Sequence, residues 1–307
     1  MAIPVPKPPL VVFAGPTATG KSALALALAE QNAGVIVNAD SAQIYRDLPV
    51  LSATPTAEER ERAEHRLYGT RDGALPCSAA EWAAIARREI ADVHGEGRLP
   101  ILVGGTGLYL RTLLDGISPV PPIDPDIRRR VRDASVEENR ARLAKLDPES
   151  AERLKPGDTA RIARALEVVM STGRTLGDWQ HHREGGIAAE VDLRPVVLLP
   201  PRDWLYERCN ERFARMFESG AIAEVEALLA RHLNPSLPVM RGIGGREIAA
   251  YLAGEMTREE AIAAGQQATR RYAKRQYTWF AHQPPPEWPR FRDVPGEAAL
   301  ALLKAKG

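Results

Sequence analysis

Short apolar runs alternate with stretches of helical period along the first third of the chain. Leu10-Val11-Val12-Phe13-Ala14 has the length and composition of a strand, and Ser22 to Gln31 can follow it as a helix. Gly34 to Asn38 predicts a second strand and Leu99 to Val103 a third. Between these two, Ser78 and Glu81 have capping-box spacing, and Trp82, Ile85, Ala86, Ile90 and Val93 then recur at helical spacing towards Gly95–Gly97. Two strand–helix units followed by a strand predict a parallel, doubly wound sheet. The polar segment Leu51–Gly73 reads as a loop over the strand ends, the edge where open α/β sheets place their ligands.

Ser118-Pro119-Val120-Pro121-Pro122-Ile123-Asp124-Pro125 cannot continue a helix and marks a boundary. Asp124 to Arg164 then holds eleven Arg/Lys and nine Asp/Glu with few large apolar residues. The expected organisation is a sheet core of 1–118 and 191–307 around a helical insertion of 119–190. The core resumes with a strand at Pro195–Pro200, and Asp203 is expected to cap a helix that places Leu205, Cys209, Phe213 and Met216 on one face and ends near Gly220. Thr257 and Glu260 form a second capping box, opening a long helix to His282 that Gln283-Pro284-Pro285-Pro286 stops. The tail to Gly307 carries no pattern. The fold class is therefore α/β, a P-loop-type parallel sheet flanked by helices, with a mostly helical insertion and a helical C-terminal part.

Composition changes this picture little. Of 307 residues, 44% are hydrophobic and 26% charged, with a net charge of +1, as in an ordinary globular protein. Cys77 and Cys209 stand alone, which argues against a zinc site or a disulfide framework. No segment has the character of a signal peptide or a membrane span, so a cytoplasmic protein is expected, with no membrane partner. A monomer is expected.

The candidate chemistry starts at Gly15-Pro16-Thr17-Ala18-Thr19-Gly20-Lys21-Ser22, which fits the phosphate-loop pattern G-x-x-x-x-G-K-[ST] between a strand and a helix. Backbone N–H groups, a helix N-terminus and the Lys21 cation would hold a diphosphate there, with Mg²⁺ on the Ser22 hydroxyl. The strand-terminal Asp that holds Mg²⁺ in ordinary ATPases is not evident. The carboxylate nearest the loop is Asp40, after the second strand, so the diphosphate reads as a leaving group rather than a fuel. Asp40 could be a plain turn residue, or a base that takes a proton from an amine or hydroxyl acceptor. Thr106, among Gly104, Gly105 and Gly107, could aim a hydroxyl at negative charge on a departing oxygen or simply shape a tight turn. Gln266 to His282 carries Arg270, Arg271, Lys274 and Arg275 and no acid, interleaved with Tyr272, Tyr277, Trp279 and Phe280. Cations without acids beside aromatic faces are the ingredients of single-stranded RNA recognition.

Taken together, GPTATGKS (Gly15–Ser22), DSAQIY (Asp40–Tyr45), VGGTGLYL (Val103–Leu110), DTARIARALE (Asp158–Glu167) and ATRRYAKRQYTWF (Ala268–Phe280) resemble the bacterial tRNA dimethylallyltransferase family nearly end to end. The resemblance implies transfer of a dimethylallyl group from dimethylallyl diphosphate, with Mg²⁺, to the exocyclic amine of the adenosine 3′ of the anticodon in the tRNA anticodon stem-loop. It gives Asp40 the role of general base, puts Thr106 beside the reacting centre, and has Lys21, Ser22 and Arg212 hold the diphosphate. Contacts to tRNA are implied for Asp40, Ser41, Ala42, Gln43 and Thr106, for Arg128, Arg161 and Arg164, for Arg241, Gly244 and Arg246, and for Lys274, Arg275, Gln276, Thr278 and Trp279. The target base is expected to leave its stack and meet the diphosphate through a channel from the opposite side. Three departures stand out: Ser52-Ala53-Thr54-Pro55-Thr56 lacks the family's lysine, Ala160 replaces a Gln, and Gly244-Gly245-Arg246 lacks an aromatic. A small-molecule or nucleotide kinase, an isopentenyltransferase acting on free adenylate and a non-catalytic RNA-binding module are the competing readings.

Overall fold

The computed structural model describes residues 6–304. It divides into two compact units, Met1–Leu113 with Ile187–Gly307, and Leu114–Gly186. The first is built on a six-stranded sheet whose edges are β3 (Glu64–Arg66) and β6 (Arg290–Phe291), in the order β3-β2-β4-β1-β5-β6, with every pair parallel. β1 (Pro9–Ala14), β2 (Val35–Asn38), β4 (Pro100–Gly104) and β5 (Asp192–Leu198) form its centre. Their apolar runs are buried almost throughout, because helices cover both faces of such a sheet. α1 (Lys21–Asn32) packs Leu24, Leu26 and Leu28 against Val11, Phe13 and Ile36, and small Ala25 and Ala29 let it lie close.

β5 begins at Asp192, three residues before the expected Pro195. Pro195 pairs with Val12 but has no N–H to give. Val197 and Leu199 donate their N–H groups to the β6 side, at Pro289 and Phe291, so the bond that Pro195 lacks would point beyond β6, where no strand lies alongside it among the described residues.

Two expectations are corrected here, and the tail, on which the sequence pattern is silent, gains elements. The segment Leu51–Gly73 is more than a loop: it contains the end of α2 (Pro49–Ser52), then α3 (Ala57–Arg62) and β3 (Glu64–Arg66), which pairs with β2. β3 reads as polar because it is a sheet edge, where Arg66 and Arg98 pair with Glu64 and Glu96 over a strand that would otherwise offer bare backbone. The tail also has structure, as β6 (Arg290–Phe291) and α15 (Glu297–Lys304), the latter resting on α1 and β5. Asp203 does not cap its helix. α11 (Arg202–Met216) has Pro201 at its N-cap, and Asp203 stands inside the first turn, where its charge still suits the helix dipole. The buried face of Leu205, Cys209, Phe213 and Met216 is as expected.

The helical unit spans Leu114–Gly186, where the proline-rich break predicts 119–190. Its two tethers pair with each other, Ile117 bridging antiparallel to Glu184, so both lie inside the unit. α6 (Pro125–Asp133), α7 (Val136–Leu146), α8 (Pro148–Arg153) and α9 (Thr159–Thr172) enclose Val131, Leu143, Ile162 and Leu166. Among them Glu167 is only 1% exposed, and its carboxylate takes a 2.6 Å hydrogen bond from Arg132 Nε. Among the described residues, no helix is long and apolar enough to cross a membrane.

Candidate functional site

The site lies at the C-terminal ends of β1, β2 and β4, within the sheet unit. The Gly15–Ser22 loop joins β1 to α1, and Gly20 enters the helix with φ of 83°. Thr19 donates to the Pro16 carbonyl, and the Lys21 ammonium folds onto the same oxygen. Burial lowers the Lys21 pKa from 10.5 to about 8; the Asp40 charge opposes this and Arg212 reinforces it.

Across from the loop, Asn38 ends β2 and shapes the turn after it. Its side chain accepts from Asp40 N at 2.8 Å and donates to the carbonyls of Asp40 and Leu67, both at 3.0 Å. Asp40 Oδ1 then accepts from Ala42 N at 2.9 Å. The turn residue and the candidate base are thus one side chain, with Oδ2 left for other work. Gly104 lets the next loop approach, since a Cβ there would sit 2.1 Å from the Ala39 carbonyl oxygen. Thr106 Oγ1 accepts from Ser41 N at 3.0 Å and donates to Ser41 Oγ at 3.1 Å. Its hydroxyl therefore fixes the Asp40–Ser41 turn and is not aimed at an open cavity.

Two cavities meet here. One is lined by Thr17 to Ser22, Gln43, Ser52 to Thr56 and Arg208. The other, of about 310 Å³, is lined by Ser41, Ala42, Tyr45, Leu51, Cys77, Tyr109, Phe213, Ile243 and Tyr272, with Arg241 and Arg275. Thr17, Asp40, Ser52 and Arg212 line both. Arg212 comes from α11 and donates to Thr17 Oγ1, while its buried Nε, like the Ser52 hydroxyl, has no partner among the described residues. Burial lowers the Arg212 pKa, with Cys209 and Asp40 opposing it. A buried guanidinium N–H without an acceptor is costly unless an anion arrives to take it. Ser52 is held in place from two sides. Gln43 Nε2 donates to the carbonyls of Ser52, at 3.1 Å, and Ala53, at 2.6 Å. Glu224 receives the N–H groups of Val50 at 2.7 Å and Leu51 at 3.0 Å at the start of α2.

The long helix α14 (Arg258–His282) forms with its Thr257–Glu260 capping box as expected. Lys274, Arg275 and Thr278 are exposed on it. Gln276 departs from the expectation of an RNA contact, being buried with its amide bonded on both sides. Trp279 is half-buried against Gly107, where an added Cβ would lie 2.5 Å from its ring, so that face is not free for a base. Arg241 borders the second cavity. Gly244 is instead the buried N-cap of α13 (Gly245–Leu252), and Arg246 is exposed beyond it. Arg128, Arg161 and Arg164 belong to the helical unit. Arg161 pairs with Asp158 at 3.2 Å and Arg164 approaches Glu167 at 4.0 Å. Burial lowers the Arg164 pKa; Glu167 opposes this, while Arg128 and Arg132 add to the lowering.

A family model described as IPP transferase matches residues 43–283. The chain belongs to the IPP transferase family. Its relatives in that family include the tRNA dimethylallyltransferase of Erythrobacter litoralis, 60% identical over 92% of this chain and 91% of the relative. That of Sphingopyxis alaskensis is 61% identical over 92% of each. Among solved structures, the tRNA isopentenylpyrophosphate transferase of Bacillus halodurans superposes with a TM-score of 0.71 at 31% identity, covering 98% of this chain and 96% of that one. A eukaryotic dimethylallyltransferase acting on tRNA reaches 0.78 at 27% identity, covering 89% and 69%.

Sequence reasoning missed Asn38 and Ser52 as site residues. An Asn at a strand end followed by a turn is the one local signal that points to Asn38. Ser52 has none, since α2, Gln43 and Glu224 together carry it to the junction.

Proposed function

We propose that this IPP transferase family member moves a dimethylallyl group from dimethylallyl diphosphate to the N6 amine of the adenosine 3′ of the tRNA anticodon. The single observation that carries this reading is the junction of the two cavities at Thr17, Asp40, Ser52 and Arg212. The loop cavity offers the cations Lys21 and Arg212 and the orphaned Arg212 N–H to a diphosphate. The other offers aromatic and aliphatic walls with arginines at its margin, which suits a base taken out of its stack.

In the reaction the C1–O bond of the donor breaks and an N6–C1 bond forms. An allylic diphosphate leaves readily because the positive charge it creates is delocalised, so the protein's part is to hold charge, exclude water and align the amine. Asp40 Oδ2 takes the N6 proton as the nitrogen becomes acidic, and Oδ1 keeps the carboxylate fixed through Ala42 N. The departing negative charge stays with Lys21 and Arg212.

Mg²⁺ belongs in this reading as a companion of the diphosphate, whose charge it would neutralise when bound. Among the described residues, no group of three or more His, Cys, Asp or Glu forms a metal site. The loop cavity offers the Ser22 hydroxyl, a hard oxygen donor that would hold the ion beside the diphosphate. The exposed Lys274 and Arg275 of α14 would meet RNA phosphates. The residues that line each cavity all come from one copy of the chain, which supports reading it as a monomer, and the proposed location is the cytoplasm.

The test is to incubate the protein with unmodified tRNA, dimethylallyl diphosphate and Mg²⁺, digest the RNA and look for N6-dimethylallyladenosine. Transfer to free adenylate with tRNA untouched, or ATP consumption coupled to a small acceptor, would overturn the proposal.

A further inference from the structure

We infer that Gln276 is a positioning residue that ties the diphosphate loop to the loop holding the acceptor side of the site. The inference rests on the prenyl-transfer reading. Gln276 is 6% exposed, and its amide is used at both ends. Oε1 accepts from Thr17 N at 2.8 Å, and Nε2 donates to the Gly105 carbonyl at 2.8 Å. These two backbone groups lie on separate crossovers of the sheet, after β1 and after β4.

Each end leads on to a group proposed for the chemistry. Thr17 takes the Arg212 guanidinium on its hydroxyl, so its backbone position sets where that cation stands. Gly105 precedes Thr106, whose hydroxyl bonds Ser41, and Ser41 follows Asp40. One amide therefore sets the spacing between the charge that holds the leaving group and the carboxylate that receives the proton. Along the same face of α14, Tyr272, one turn earlier, lines the cavity beside Asp40 and Ser41, and Trp279, one turn later, covers Gly107. Lys274 is exposed, and Arg275 is exposed at the margin of the acceptor-side cavity, so the helix can meet RNA without using Gln276.

Removing the amide would leave Thr17 N–H and the Gly105 carbonyl unpaired and free to drift, and a misplacement of about 1 Å at such a site can cost about a hundredfold in rate. The test uses the full chain with Gln276→Met, which keeps the volume and loses both bonds, and Gln276→Glu, which keeps the acceptor for Thr17 but turns a negative oxygen towards the Gly105 carbonyl. Three quantities are measured: affinity for dimethylallyl diphosphate, affinity for unmodified tRNA, and kcat for transfer. We expect tRNA affinity within about twofold of wild type for both variants, which also reports that they fold. We expect kcat about ten- to a hundredfold lower for both, with donor affinity weakest in Gln276→Glu because its charge opposes the diphosphate. Wild-type kcat and donor affinity in Gln276→Met would reduce the residue to core filling and overturn the inference. Weakened tRNA affinity with unchanged donor affinity would make it an RNA contact and overturn it equally. Wild-type protein that neither binds the donor nor modifies tRNA would sink the functional reading itself, a result separable from either of these.

Discussion

Lys21 gives the sharpest quantitative prediction because its charge is both needed and opposed by its surroundings. Burial brings its pKa from 10.5 to about 8 in the ligand-free site. At about 1.36 kcal/mol per pKa unit, that fall sets roughly 3 kcal/mol against the charged form. The sign follows from proton counting. Between pH 8 and 10.5 the unfolded chain still holds the proton and the folded one has released it, so the ligand-free protein gains stability as pH rises through that window. Donor binding runs the other way. A diphosphate beside the ammonium raises its pKa again, so donor affinity weakens as pH rises above about 8, approaching tenfold per pH unit. Calorimetric titration with dimethylallyl diphosphate from about pH 6.5 to about pH 9.5 reads this directly, with proton uptake on binding near pH 9. Lys21→Arg stays charged throughout and is expected to bind more weakly overall but to flatten the profile. Wild-type affinity that stays level to the top of that range, or the same slope in Lys21→Arg, would refute the reasoning.

Further outcomes follow from the hydrogen bonds around Asp40. Asp40→Asn keeps an Oδ1 to accept from Ala42 N, so the turn should survive; turnover is expected to fall about 10²- to 10⁴-fold with donor affinity kept, measured in single-turnover transfer. Thr106→Val removes both bonds to Ser41 and should lower turnover about ten- to a hundredfold, whereas Thr106→Ser should recover most of it. Near wild-type turnover in Thr106→Val with a loss in Thr106→Ser would show that the methyl group, not the hydroxyl, matters. Replacing Lys274 and Arg275 by Gln should weaken tRNA binding and flatten its dependence on salt by about 0.7–0.9 in log–log slope for each phosphate no longer neutralised; an unchanged slope would place both side chains outside the interface.

The parts of the molecule that sequence reasoning reached are those whose cause is local. The capping boxes at Ser78 and Thr257 form as read because both partners lie within four residues of each other. The buried strands are legible because parallel sheets covered on both faces need continuous apolar runs. Glu64-His65-Arg66 is a strand only because β2 lies beside it, and Arg290-Phe291 only because β5 does. Neither segment carries a strand pattern of its own.

The same division runs through the site. By itself the sequence determined the Gly15–Ser22 loop with its strand and helix, the carboxylate of Asp40 at a strand end, and the acid-free run of cations on α14, since each is a property of one contiguous stretch. Only the tertiary structure decided that Thr17, Asp40, Ser52 and Arg212 converge from four separated segments. It likewise decided that Thr106 holds a turn rather than facing a cavity, and that Gln276 is buried while its neighbours Lys274 and Arg275 are exposed. The physical reason is that such juxtapositions are selected by burial and by pairing of backbone groups far apart in the chain, which no local preference of the residues encodes.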